Sequence, residues 1–306
     1  MNLAGVRRPP FAARPPDNVF AEPAAGGWAA WYAAVALGGQ GHYAAALTTL
    51  TPLGQGRDPV LAAAAWTALA SHRRQLGAHT AAAGHDGEAL RRLAQAGLYP
   101  LTQDTIAPPA PEPLRSVVVD VLLGLAADAI GRGRLTAAAR LHGEAVSTLG
   151  SDPDWRPRVR IGWVAAEIAL AKGDPHQALP ASKHACDLAH TSSSVRHQTK
   201  SGLVLGVTQH VLGLPTGVDF LRSVIKNGGQ HGLLPLVWPS ALLLSEAEPD
   251  RVGYHRNGAR EALTTVLGRT DASGRRLAAR SAWLPSWLLR SSEPGDAASR
   301  MNFLTD

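Results

Sequence analysis

A glycine recurs at a fixed place in a repeated local pattern, and this pattern constrains the fold more than any other feature of the chain. Gly133-Arg134-Leu135-Thr136-Ala137-Ala138 is followed forty residues later by Gly173-Asp174-Pro175-His176-Gln177-Ala178. Forty residues further on comes Gly213-Leu214-Pro215-Thr216-Gly217-Val218. Gly41-His42-Tyr43-Ala44-Ala45-Ala46 and Gly77-Ala78-His79-Thr80-Ala81-Ala82 carry the same form near the front. Each stretch separates two segments of helical apolar spacing, as Gly173 separates 159–172 from 176–190. Glycine accepts the positive φ that such a turn demands. A helix–turn–helix unit that recurs in this way predicts a stacked helical repeat.

Composition supports helices. Hydrophobic residues are 45% of the 306-residue chain, much of that alanine, while aromatics are 5%. Alanine is the strongest helix former, and long alternating β-branched runs are absent. The expected fold is all-α: a right-handed α-solenoid of antiparallel helix pairs with flexible N- and C-terminal tails.

The chain divides by its prolines. Residues 1–27 hold Pro9, Pro10, Pro15, Pro16 and Pro23 and read as a flexible tail. Residues 28–98 read as N-terminal repeats, 99–113 as a proline-rich linker or loop, 114–290 as C-terminal repeats with a cap, and 291–306 as a second tail. Expected helices are 28–38, 43–50 (stopped by Pro52), 60–76 (after Asp58-Pro59), and 79–97 with a break near Gly84–Gly87. Further on they are 114–130, 135–149, 158–172, 176–190, 192–211, 215–226 (ended by Gly228-Gly229), 233–246 and 257–267. Residues 273–290 read as one last amphipathic segment. Its Trp283, Leu284, Trp287 and Leu288 are expected to close the open end of the solenoid.

These features resemble the tetratricopeptide repeat. Gly41, Tyr43 and Ala46 fit the family's turn. So do Gly133, Leu135 and Ala138, with Ala145 at the small position of the second helix. Gly173 and Ala178 fit, with Trp163 and Ala166 in the preceding helix; Gly77, His79 and Ala82 fit more loosely, and Gly213 with Val218 least. The resemblance spans about residues 28–225. The spacing of forty departs from the family's repeat of 34. The resemblance implies a concave groove that holds a peptide or a partner's helix.

Charge and cysteine usage bound the partners. The formal net charge is +6 and the pI ≈ 10.0, with 18% charged residues. That balance suits an anionic partner such as nucleic acid. The arginines are spread rather than clustered, and abundant Arg, Ala, Gly and Pro match a GC-rich bacterial genome. A nucleic-acid-associated regulatory role is therefore the alternative, not the leading expectation. Cys186 is the one cysteine, which excludes an internal disulfide and fits a cytoplasmic setting. Arg7 and Arg8 are followed by prolines rather than an apolar segment, unlike a secretory signal. No run of about 18 apolar residues predicts a membrane span.

Catalytic motifs are missing. The chain has no His-Glu-x-x-His, no Cys-x-x-Cys, no phosphate-binding loop and no nucleophile elbow. Asp152 and Asp154 read as turn and cap residues. Cys186 and His190, at i,i+4, form the centre of a further alternative, an enzyme or metal protein. No cofactor and no metal are expected.

The leading expectation is a non-catalytic scaffold or adaptor that binds a partner protein or peptide. Counting back 13, 10, 6 and 3 residues from a turn glycine traces one helical face. From Gly173 this gives Arg160, Trp163, Glu167 and Leu170. From Gly213 it gives Lys200, Leu203, Val207 and His210, and from Gly133 it gives Asp120, Leu123, Ala127 and Ile130. Arg160, Trp163, Glu167, Lys200 and His210 are the expected partner-binding residues.

Overall fold

The computed structural model describes residues 27–101 and 113–289. The expected N-terminal tail, the C-terminal tail and most of the expected linker lie outside them. The described residues form an all-α solenoid without strands. The first three pairs are α1 (Trp28–Gly39) with α2 (Tyr43–Gly54), α3 (Pro59–Gln75) with α4 (His79–Gln95), and α5 (Leu114–Gly131) with α6 (Leu135–Leu149). Next come α7 (Trp155–Ala171) with α8 (Pro175–His190), α9 (Val195–Val211) with α10 (Thr216–Gln230), and α11 (Leu234–Ala247) with α12 (Val252–Gly268). Two short helices follow, α13 (Ala272–Ala279) and α14 (Ser286–Leu289).

The expected turns form as the pattern requires. Gly41, Gly77, Gly133, Gly173 and Gly213 have φ of 82°, 69°, 70°, 77° and 70°, and no residue other than glycine has positive φ among those described. Each turn closes with the same hydrogen bonds. Asp174 N–H donates to Ala169 at 3.0 Å and Arg134 N–H to Ala129 at 2.8 Å. This six-to-one bond satisfies a helix-end carbonyl that would otherwise be orphaned. Asp58 caps α3 by accepting from the N–H groups of Val60 at 2.9 Å and Leu61 at 3.1 Å, with Pro59 at the first position.

Of the expected boundaries that differ, four have a physical reason; in addition, the helix expected at 257–267 starts at Val252, and those expected to start at 158 and 192 start at Trp155 and Val195. Pro52 lies inside α2, which runs to Gly54, because a proline in the last turn removes only one helical bond. The expected break at Gly84–Gly87 is absent. Asp86, between those glycines, is fully buried and ion-paired to Arg74, which fixes α4 as one helix on α3. Helix α10 continues through Gly228-Gly229 to Gln230. A Cβ on Gly228 would stand 2.6 Å from Val237 Cγ2, so glycine here serves close packing on α11 rather than a break. Residues 273–290 are not one helix. The turn at 281–285, with Pro285 just ahead of α14, separates α13 from α14.

The odd-numbered helices α1, α3, α5, α7, α9 and α11 neighbour one another and form the inner layer, while the even-numbered partners lie outside. One apolar core runs from Trp31 to Ile168 and joins Leu93 on α4 to Val118 and Leu122 on α5, across the proline-rich segment. The core of the C-terminal helices is completed by residues from the front of the chain. Tyr43 and Leu76 pack there among Val237, Leu263, Val266, Leu284 and Leu288. Backbone contacts fasten the same return: Ala44 N–H donates to the Arg269 carbonyl at 2.9 Å. The solenoid thus curves until its sixth pair meets the turns of its first two.

The expected cap forms through Leu284, Leu288 and Trp287 but not through Trp283. Leu284 and Leu288 are buried, but Trp283 is 56% exposed, and its indole N–H donates to the Gly131 carbonyl at 3.1 Å. The segment covers the core of the last pair through Leu284 and Leu288 and also straps the C-terminal end onto earlier pairs.

Candidate functional site

The curved inner layer encloses a recess lined from five helices, α1, α3, α5, α7 and α9, with a cavity of ≈ 50 Å³. Its charged residues are Asp120, Arg156, Arg160 and Arg196. Local structure fixes two of them. Asp154 caps α7, accepting from the N–H of Arg156 at 3.1 Å and from the Ser116 hydroxyl of α5 at 3.0 Å. Ser194 caps α9, accepting from the N–H of His197 at 3.4 Å. Arg156 and Arg196 therefore both stand at the second position of a capped helix. Cations are disfavoured there, where the helix dipole is already positive, by about 0.3–1 kcal/mol each. Both helix ends add positive potential at the recess.

Within the lining one carboxylate faces three guanidiniums; outside it, Asp154 also acts on Arg156 and Asp86 on Arg160. Arg156 Nη1 lies 2.7 Å from Asp120 Oδ2, and Arg160 Nε lies 3.3 Å from Asp120 Oδ1. Arg196 makes no hydrogen bond or ion pair among the described residues. Burial alone would lower the Arg156 pKa, but the charge and hydrogen bond of Asp120 outweigh it and hold the group above its ordinary value. Burial lowers that of Arg160, with Arg156 and Arg74 adding to the effect and Asp120 opposing it. Arg196 is pushed down to about 10, by burial first and then by the charges of Arg160 and Arg156. Burial is the larger cause, and the neighbouring guanidiniums add positive potential to it.

The histidines of the recess are neutral. Burial, then Arg196 and Arg73, press His72 down to about 3. Burial and the three arginines press His197 well below its ordinary value. His72 stacks on Tyr43 with ring centroids 4.9 Å apart. Polar atoms in this wall lack partners: Trp31 Nε1, Thr67 Oγ1 and His72 Nδ1 are buried without a hydrogen bond. Each such atom costs about 1–3 kcal/mol when left unmet.

The expected partner-binding residues divide. Arg160 lines the recess. Trp163 lies one layer behind it, 7% exposed, donating to Ser201 Oγ at 2.8 Å and stacked at 5.4 Å on His197. Lys200 pairs with Glu167 at 2.9 Å across α7 and α9, and its Nζ is 5.9 Å from the Trp163 ring centroid. Trp163, Glu167 and Lys200 form one cluster between α7 and α9. His210 is half-buried in the last turn of α9, well along the helix from Arg196.

Arg156, Arg196, His72, His197, Trp31 and Thr67 are absent from the expected set, yet the sequence carried a signal for several. Arg156 and Arg196 occupy the same register, seventeen residues before Gly173 and Gly213. Trp31 and Thr67 stand ten residues before Gly41 and Gly77, the register of Trp163 before Gly173. Extending the count to the front turns and one helical turn further back reaches these four. His72 and His197 lie off that register and are found only in three dimensions.

The other candidates are accounted for by packing. Cys186 is buried, its Sγ 3.7 Å from His190 Nδ1, and burial followed by the Asp187 charge pushes its thiol up to about 11. A thiol with so high a pKa is a poor nucleophile. Among the described residues no group of three His, Cys, Asp or Glu side chains is placed to hold a metal ion. Asp152 and Asp154 are turn and cap: Asp154 N–H donates to Asp152 Oδ1 at 2.9 Å. No described helix is long and apolar enough to cross a membrane.

No protein-family model and no curated protein matches this chain.

Proposed function

We propose that this chain is a non-catalytic scaffold or adaptor of tetratricopeptide type, working in a bacterial cytoplasm. On this reading it holds a partner protein or peptide on its inner helical face. The observation that carries the reading is the imbalance at the recess, where Arg156, Arg160 and Arg196 face the single carboxylate of Asp120. Charged groups held this way, without full internal compensation, are costly to the fold and suited to an outside partner. The partner segment is acidic where it enters the recess. Lys200, Glu167 and Trp163 stiffen the wall behind Arg160 and Arg196, and His210 extends the same face along α9.

The test is capture of partners from native lysate with and without nuclease, using the wild type, Arg160→Glu, Arg196→Glu and, as a control, Arg140→Glu on the outer helix α6. Arg140 is 73% exposed by side chain. A partner retained by the wild type and control, lost by both recess variants and unaffected by nuclease supports the reading. Loss of all partners after nuclease treatment favours nucleic acid instead. Retention by every variant, with each variant folded, places binding elsewhere.

A further inference from the structure

We propose that the inner recess is a binding site for a phosphate dianion, presented by a phosphorylated side chain of a partner or by a small phosphorylated molecule. This deepens the reading of the inner face as the binding surface and rests on it. Asp120 is the only carboxylate lining the recess among the described residues, against three guanidiniums. With His72 and His197 neutral, the lining itself carries a surplus of two positive charges, while Asp154 and Asp86, which act on Arg156 and Arg160, lie outside it. A phosphomonoester carries about −1.5 to −2 at neutral pH and matches that surplus, whereas a carboxylate leaves one charge unmet.

Hydrogen-bonding capacity gives the same answer. Trp31, Thr67 and His72 line this recess, are 8%, 6% and 6% exposed, and each has a buried polar atom with no hydrogen-bond partner. An indole N–H can only donate, and a threonine hydroxyl donates readily. With the fork of the Arg196 guanidinium they offer at least four donors, enough to fill the roughly four acceptor sites of a carboxylate and leave none for Arg160. The three terminal oxygens of a phosphate monoester accept from all of them, and arginine forks suit that geometry. Size agrees too. The cavity of ≈ 50 Å³ has room for about four water molecules, the bulk of one phosphate group. A nucleic-acid diester carries one charge per phosphate and continues on both sides, which fits this recess less well.

The experiment is calorimetric titration of the full chain with inorganic phosphate, and separately with acetate at matched ionic strength. Phosphate is expected to bind and acetate to bind at least about tenfold more weakly, the equivalent of one lost charge-assisted contact. Arg196→Gln and Thr67→Val are each expected to weaken phosphate binding with unchanged circular dichroism; Arg140→Gln is expected to leave it unchanged. Among the described residues Arg196 has no hydrogen-bond or ion-pair partner for its loss to orphan, and Thr67→Val is close to isosteric, so one variant reports even if the other misfolds.

Capture of the partner before and after phosphatase treatment separates the sources. Phosphatase-sensitive capture assigns the site to a phosphorylated partner, and insensitive capture alongside phosphate binding assigns it to a small phosphorylated molecule. Equal binding of phosphate and acetate, no binding of phosphate, or wild-type affinity in both recess variants overturns the proposal. If capture dependent on Arg160 persists in that case, the scaffold reading stands and only the phosphate assignment falls.

Discussion

Arg73 and Asp271, 198 positions apart in the chain, form a two-pronged ion pair. Arg73 Nη1 lies 2.7 Å from Asp271 Oδ2 and Nη2 lies 3.3 Å from Oδ1. Arg73 is in the last turn of α3, where a cation suits the helix dipole. Asp271 caps α13 and accepts the Gly274 N–H at 3.0 Å with the same oxygen that meets Nη2. One carboxylate thus starts α13 and ties it to the second helix pair. Ser281 Oγ donates to the Gly77 carbonyl at 3.1 Å one turn away, so the strap is held at more than one point.

Asp271→Ala is expected to destabilise the protein by about 3 kcal/mol, the sum of a lost cap and a charge-assisted pair. Urea unfolding measures the total. Amide exchange should show α13 and α14 losing protection first; uniform loss across the chain would contradict the strap.

The turn glycines should separate into two classes. A Cβ on Gly173 would meet no atom within 4 Å, so Gly173→Ala incurs only the positive-φ penalty, about 1 kcal/mol. At Gly77 a Cβ would also stand 2.1 Å from Ser281 Oγ and 2.9 Å from Trp283 Cβ. Gly77→Ala should therefore lower the melting temperature more than Gly173→Ala, and equal shifts would mean that the strap is not seated on that turn.

Truncation before Ser281 removes Leu284 and Leu288 from a shared core and Trp283 from its bond to Gly131. At about 1.5–3 kcal/mol for each buried leucine, a loss of roughly 3 kcal/mol or more is expected. Thermal unfolding of the shortened chain checks it, and an unchanged midpoint would rule the strap out as a stabilising element.

Acid should destabilise the fold through its buried histidines. His72 titrates near 6.5 when unfolded but is held to about 3 in the fold by burial, Arg196 and Arg73, with Asp271 opposing. Between those values the unfolded chain binds the extra proton, so stability rises with pH. The His72 contribution is full above 6.5 and is lost progressively as pH falls toward 3. The slope from His72 reaches about 1.4 kcal/mol per pH unit, and His197 acts in the same direction. Urea midpoints at several pH values between 7 and 5 should show a shallower dependence in His72→Gln than in the wild type.

What lay open in the sequence was local. The positive-φ turns at Gly133 and Gly173, the Asp58-Pro59 start of α3 and the pairing of adjacent helices depend on residues a few positions apart, and their chemistry is complete within that span. Asp120 and Arg160 were reached by counting within one repeat. The uninterrupted α4 and α10 were not legible, because Asp86 and Gly228 take their meaning from Arg74 and Val237 on other helices. Only the tertiary structure decided how far the solenoid curves. Curvature sums small rotations set by side-chain packing between successive pairs, and no single repeat encodes that sum. It is the curvature that gathers Arg156, Arg160, Arg196 and His72 from three helices around one recess, and that carries Asp271 back to Arg73.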